Sequence, residues 1–575
     1  MLLIFPQKLA QVDLVTSECF DCGDMFGHGR FQHWIFILTA ASVCAMHCHT
    51  LVFRLISDDV DHWCKKPRGE EVMSAASWRN VAIPIDPDGR FSRCTVYKHP
   101  DDLNDTQVVG CDEWDYDPER QSSTIVSYWD LVCDRQPLLA VAQVVYIAGA
   151  LLFMSGVGLA ADRLGRQPVL LSSVVVLLLA TLGGCFALTY RTYILSRFLN
   201  SGCVATVTVL SSTLLFEVST HRRRSLHLCA AMSAGILVAE GWFTVARLLR
   251  QLHWILLQIF MLLPTVLTLF VFTAAYESPR WCVAKKDMTS AEMIMLCAAK
   301  KNKFPLTTTA SMLGMLKEEF ALSEARFQVT GGDVSGAREL RHRALVMYCC
   351  SFAITFTLFS VLLLEAEVSS RTNSWFQWSS VCGMLVGFAL LIVVVRMVTA
   401  STLQFTALGA LGGIAGLISL TSALKDHLLT SVLLVLAKPL VYASDVIIFT
   451  TAMSLGGAAV RCDMICWLVG FGRLGGACAA VLFAMPNVGH RDLLFALAGT
   501  ALFAMMLAQL SLPPKHEVLI ISTAARTTKN IRGLEFMKHS LDTQMSYKKE
   551  SRSISRASSL SSRGPGLKVD TMNTY

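Results

Sequence analysis

The chain has 575 residues, of which 53% are apolar and only 16% charged, with a formal net charge of +7. That apolar content exceeds what a soluble globular chain of this size buries, and a basic excess this modest gives no reason to expect nucleic acid as a partner. Apolar stretches near 20 residues recur along the chain and match the hydrocarbon thickness of a bilayer.

Twelve such stretches are predicted to span the membrane as helices, at 32–55, 137–160, 169–188, 191–216, 226–250, 253–275, 343–364, 375–396, 402–423, 428–453, 463–485 and 491–512. The fold class is therefore an all-α integral membrane protein. Residues 1–30 are polar and expected in the cytoplasm, with no cleavable signal peptide. Cys19 and Cys22 have the spacing of half a zinc site, but no second pair follows, so they read as thiols and no metal is expected. His47 and His49 lie toward the outer end of the first helix, where they face a substrate path or pack at the interface.

Residues 56–136 form a long polar loop carrying Cys64, Cys94, Cys111 and Cys133. An even cysteine set in an acidic loop reads as two extracellular disulfides, with three possible connectivities. Asn104-Asp-Thr106 is a glycosylation sequon and agrees with that side.

The next two helices are joined by Gly158-Leu-Ala-Ala-Asp162-Arg163-Leu-Gly165-Arg166-Gln167. Gly158 and Gly165 permit close backbone approach. Asp162, Arg163 and Arg166 place charge where helices end, which suits a latch that holds one conformation; the plainer reading is a basic loop obeying the positive-inside rule. The turn is similar to the signature loop of the major facilitator superfamily, except that Gln167 stands where a second basic residue is usual.

Lys and Arg cluster at His221–Arg224, in the central loop 276–342 and in the tail 513–575, which puts these segments and both termini in the cytoplasm. The central loop separates two six-helix halves, 31–275 and 343–512. The tail is basic and Ser-rich and is expected to be disordered. Its Arg-x-x-Ser spacings make Ser555 and Ser559 kinase candidates, or are incidental in a solvated tail.

Further stretches resemble solute carrier family 22, the organic cation, organic anion and carnitine transporters. They are Trp129-Asp-Leu-Val-Cys133-Asp, Ala142-Gln143-Val-Val-Tyr146-Ile-Ala-Gly149, Ser196-Arg197-Phe198-Leu199 and Glu277-Ser278-Pro279-Arg280-Trp281. The resemblance covers about residues 25–515, strongly in the first half and thinly in the second. It implies two halves rocking about a midplane site, latched through Gly158, Asp162, Arg163, Gly165, Arg166, Glu217, Arg224, Glu277 and Arg280. The second half departs from the pattern. Arg396-Met-Val-Thr-Ala-Ser401 lacks the repeated signature, and Ser454 and Gly457 replace the acid and proline that end helix 10 in the family.

Ionisable residues inside spans cost about 2.5–3.5 kcal/mol each on insertion scales, so each marks a candidate site. Here they are Arg197, Glu240, Arg247, Lys438, Asp445 and Arg473. Glu240 and Arg247 share one helix face, as do Lys438 and Asp445, and each pair could partly neutralise itself; Arg247 could instead snorkel to the interface. The family's anion and carnitine transporters use an Arg in an Arg-x-Gly setting like Arg473 to hold a substrate carboxylate, and helix 8 lacks the acid that cation transporters carry. The substrate-binding set is thus Arg473, Lys438, Asp445, Glu240 and Tyr146, with pairing of Arg473 to Asp445 or Glu240 as the structural alternative. The expected function is transport of a small organic anion or zwitterion such as carnitine across the plasma membrane. A non-transporting receptor with the same fold competes. No ATP loop or nucleophile set implies an enzyme or a cofactor.

Overall fold

A bilayer offers no water to a free amide, so apolar runs of this length close their backbone hydrogen bonds as helices. The computed structural model describes residues 21–510 except 59, 66–74, 86–90, 99–106, 117–123, 222, 328–333, 372–374, 399, 459 and 485–490. Cys19, Asn104, Ser555 and Ser559 lie outside the described residues. The first half consists of α1 Arg30–Ile56, α2 Pro137–Leu164, α3 Arg166–Cys185, α4 Tyr190–Val218, α5 Arg224–Leu248 and α6, the span Trp254–Thr273. The second consists of α7 Val334–Arg371, α8 Trp375–Met397, α9 Ala400–Ala423, α10 His427–Met453, α11 Arg461–Ala484 and α12 Arg491–Leu510. All twelve contain a stretch long and apolar enough to cross a membrane. This is the twelve-helix, two-half architecture expected from the sequence.

Two prolines bend that regular pattern. Pro264 lacks an amide hydrogen, and α6 tightens there into the 3-10 segment Leu263–Phe270. Pro439 sits inside α10, directly after Lys438, and leaves the carbonyl four residues back without its helical donor.

α4 is buried along its whole apolar stretch. A helix closed in on all sides can carry polar side chains only if neighbours satisfy them. Thr39 donates to the Ser211 carbonyl at 3.0 Å, Thr208 to the Ser42 carbonyl at 3.1 Å, and the Ser42 and Ser211 hydroxyls meet at 2.7 Å. α1 and α4 are thus stitched together by hydroxyls as well as by packing.

The bundle has two distinguishable ends. At one, the loop after α1 folds as two small antiparallel pairs, β1 His62–Cys64 with β4 Trp114–Tyr116 and β2 Thr95–Tyr97 with β3 Val108–Gly110. Strands this short need staples. Disulfides Cys64–Cys111 and Cys94–Cys133 supply them and resolve the connectivity that the sequence leaves open. Val60, Trp114, Tyr116, Val126 and Val132 form a small core beneath. We call this the disulfide end. At the other end, the central segment forms helices Pro279–Ala284, Met288–Asn302 and Leu306–Phe327. Asn302 pins them to the start of α1: its carboxamide accepts the Phe31 amide at 2.9 Å and donates to the Phe26 carbonyl at 3.1 Å. We call this the latch end.

Candidate functional site

At the latch end, α2 turns into α3 through Gly165, whose φ of 109° suits glycine. Glu277 closes the turn: its carboxylate accepts the Arg166 and Gln167 amides, each at 3.0 Å, and so caps α3. The indole of Trp281 donates to the Asp162 carbonyl at 3.0 Å. Gly158 lies against α11, where a Cβ would stand 2.6 Å from Asp463 Cα. That proximity lets Asp162 Oδ2 accept the Asp463 amide at 2.9 Å, capping the first turn of α11 across the boundary between the halves.

A buried carboxylate completes this seam. Glu217, at the end of α4, ion-pairs with Arg166 at 3.3 Å and with Arg461 of α11 at 2.6 Å. Arg166 also pairs with Asp162 at 3.2 Å and donates to the Ala458 carbonyl. Arg461 donates to the Met453 and Gly456 carbonyls at 3.1 and 2.9 Å. Arg461 therefore shares Glu217 with Arg166, although the second half has no signature loop. Arg163 is exposed, with no ion-pair partner among the described residues. Arg224 stacks over Phe216 at 4.8 Å instead of engaging Glu217. Arg280 is buried near Cys22 and Glu217. The Cys22 thiol donates to the Glu217 carbonyl at 3.2 Å, a packing role.

Toward the disulfide end, a second set of charges spans the halves. Lys438 of α10 contacts Glu240 of α5 and Glu365 of α7, each at 2.9 Å, and Glu365 meets Arg54 of α1 at 3.6 Å. Tyr442 donates to the other Glu240 oxygen at 3.1 Å. Alternating signs offset the cost of burial, which no member of the chain could bear alone. The partners differ from those the i, i+7 spacing suggests. Glu240 and Lys438 neutralise each other across the interface rather than along their own helices.

Between these two sets of contacts lies a chamber of about 80 Å³. Arg473, Asp445, Tyr442, His47, Thr50 and Met46 supply its polar and polarisable wall; Leu358, Phe359, Ile448 and Phe449 supply the apolar remainder. The Arg473 guanidinium donates to Met46 Sδ at 3.2 Å and makes no ion pair among the described residues. Asp445 faces the same space, also without a hydrogen-bonded or ion-paired partner among them. Lys438, Glu240 and Tyr146 stand back from the chamber. Tyr146 lies under Arg197, whose guanidinium sits 4.3 Å from its ring centroid and donates to Gln143 at 3.1 Å. His49 meets Thr265 at 3.2 Å, whereas His47 reaches the chamber wall, edge-on to Tyr442. Glu365 and Arg54 are the functional candidates the sequence reading passed over. Each sits where an apolar run ends, and there an ionisable residue looks like an ordinary interfacial charge.

Two six-helix halves, with a polar chamber at their interface and inter-half polar contacts on either side of it, form the fold of the major facilitator proteins among the solved structures. Residues 89–358 match the family described as sugar (and other) transporter. Solute carrier family 22 member 7 of Sus scrofa is 24% identical over 524 residues, spanning 85% of this chain and 93% of that protein. Organic anion transporter 3 of Homo sapiens is 26% identical, spanning 61% of this chain and 64% of that protein. The beta-alanine transporter of Drosophila melanogaster is 28% identical, spanning 46% of this chain and 48% of that protein. Among solved structures, the proton:xylose symporter XylE of E. coli, bound to 6-bromo-6-deoxy-D-glucose, has the same fold. Its TM-score is 0.57 at 15% identity, covering 84% of this chain and 96% of that one. The chain is thus similar to solute carrier 22 transporters in sequence and to major facilitator proteins in fold.

Proposed function

We propose that this transporter carries small organic anions or zwitterions bearing a carboxylate across the plasma membrane, by alternating access. One observation supports the reading above others: Arg473 presents a guanidinium to the chamber, and among the described residues no carboxylate ion-pairs with it, although Asp445 stands on the same wall. A planar guanidinium matches a carboxylate bidentately. Asp445 on the same wall offers a counter-charge for a substrate ammonium, which favours a zwitterion. The names of two relatives, an organic anion transporter and a beta-alanine transporter, agree with such substrates.

The cycle follows from the two gates. Ligand pockets usually measure about 300–1,000 Å³, far more than this chamber. Substrate therefore enters only after one gate opens and the halves rock apart there. Opening the latch end breaks Asp162–Asp463 and Glu217–Arg461; opening the disulfide end breaks Glu240–Lys438. Disulfides at one end and basic segments at the other support a cytoplasmic latch end. The tail serines Ser555 and Ser559 would then be accessible to kinases.

The test is uptake of labelled carnitine, beta-alanine, an aromatic organic anion and an organic cation by cells expressing the full chain. Saturable uptake of any carboxylate supports the proposal. Uptake of the cation alone removes the carboxylate argument. No uptake by protein at the cell surface favours a receptor that has kept the fold, the reading that the missing second-half signature motivates.

A further inference from the structure

The two seams between the halves are closed differently at the latch end. Where α2 meets α11, the carboxylate of Asp162 caps the first turn of α11. Where α5 meets α8, the corresponding corner holds a cleft of about 550 Å³, lined by Arg223, Leu226, His227, Ala230, Ile392 and Arg396. Among the described residues, no acidic side chain lines it. Arg223 is the N-cap of α5 and provides no side-chain acceptor, so no side chain caps this helix. Arg396 arrives from the last turn of α8. Neither guanidinium has an ion-pair partner among the described residues, and both are exposed. Asp21, the acid on the neighbouring loop, accepts the His221 amide at 3.1 Å.

Two unpaired arginines and the positive end of a helix therefore face one cleft, and each of the three favours an anion. Apart from His227, the rest of the lining is apolar. Leu226, Ala230 and Ile392 continue the cleft toward the spanning part of the bundle, and α8 there exposes Leu385, Val386, Leu390 and Val393 as it would to lipid. Cations at the bundle's end, with an apolar slot running inward, form the template of a phospholipid rather than of a soluble anion.

We propose that this cleft binds the phosphate-bearing headgroup of an anionic phospholipid, with an acyl chain along Leu226, Ala230 and Ile392. Arg223 belongs to the first half and Arg396 to the second, so one headgroup bridges both. It supplies at the α5–α8 seam the negative charge that Asp162 supplies at the α2–α11 seam, and it stabilises the state closed at the latch end. The proposal rests on the two-half fold and not on the identity of the substrate.

The test uses the purified full-length protein in phosphatidylcholine nanodiscs, with and without a polyphosphorylated phosphatidylinositol. The expected results are retention of that lipid in native mass spectra and a rise in thermal midpoint of several degrees. Arg223→Gln with Arg396→Gln should lose at least tenfold in lipid retention, whereas Arg→Lys at both positions should keep most of it. Because both side chains are exposed, the Gln variant should match the wild type in phosphatidylcholine alone, which separates lost binding from misfolding. Equal retention by wild type and the Gln variant overturns the proposal. So does equal stabilisation by inorganic phosphate or a soluble inositol phosphate, which would assign the cleft to a free anion.

Discussion

Asp162 at the end of α2 and Asp463 in the first turn of α11 are 301 positions apart, yet a single hydrogen bond of 2.9 Å joins carboxylate to amide. That contact both caps a helix and ties the two halves together. One side chain thus couples the local stability of α11 to the position of the first half.

Asp162→Ala should release the lock. The lost cap costs about 1 kcal/mol, and the weakened pairing of Arg166 adds to it. The population open at the latch end should rise by about tenfold or more. Cys466 reports it, because its Cβ lies 3.0 Å from where a Gly158 side chain would begin and its thiol is fully buried in the closed state. Labelling of Cys466 by a membrane-permeant maleimide, read by peptide mass spectrometry, should increase correspondingly. Unchanged labelling would mean that Asp162 does not hold this gate.

Gly158→Val should open the same seam by steric means. The new Cβ would meet the α11 backbone at Asp463, which cannot rotate away as a flexible side chain can. Uptake should fall by about tenfold at equal surface expression while Cys466 labelling rises. Full activity in this variant would show that α2 and α11 are not in such close contact.

Much of this was legible in the sequence and some was not. Apolar run length is enough to place the twelve helices, and the D-R-x-G-R spacing with Glu277 singles out Asp162, Arg166 and Glu277, which the structure brings together. Residues on one helix suggest each other as partners, so the sequence pairs Glu240 with Arg247 and Lys438 with Asp445. The actual partners face each other from α5 and α10, and no sequence period carries that adjacency. Glu365 and Arg54 were missed for a related reason, since burial at a helix end comes from the opposite half. The missing second-half signature was visible, but not the recruitment of Arg461 by Glu217, which depends on α4 and α11 meeting.

Glu217→Gln should destabilise the folded protein by about 3–5 kcal/mol, because it leaves the buried cations Arg166 and Arg461 without their shared anion. A large drop in the thermal midpoint of detergent-solubilised protein checks this. A shift within error would place Glu217 outside the structural core of the latch.

Lys438→Met should be worse than Lys438→Met combined with Glu240→Gln. The single change leaves Glu240 and Glu365 facing each other with no cation between them, and the second change removes one of those charges. A double-mutant cycle on thermal stability should therefore show coupling of about 1 kcal/mol or more. Additive effects would contradict the ion chain.

Acid should weaken the latch end through His28. Burial, with His33 and Arg223 beside it, holds this imidazole below its ordinary value, and its ring stacks on His227 at 4.8 Å. The unfolded chain thus takes up the proton at a higher pH than the folded one. The associated stability is complete above about pH 6.5 and is lost as pH falls through the depressed folded value. His28→Phe should keep the stack and flatten the dependence of the thermal midpoint between about pH 7 and 5. An unaltered slope would remove His28 from that role.

The most direct measurement of the central claim compares uptake of a labelled carboxylate substrate with that of its methyl ester, in wild type and in Arg473→Ala and Arg473→Lys at matched surface levels. If Arg473 holds the carboxylate, wild type should prefer the acid by about tenfold or more. Arg473→Ala should lose acid uptake, and Arg473→Lys should retain a fraction of it because the charge survives without the fork. An acid preference that persists unchanged in Arg473→Ala would contradict the account.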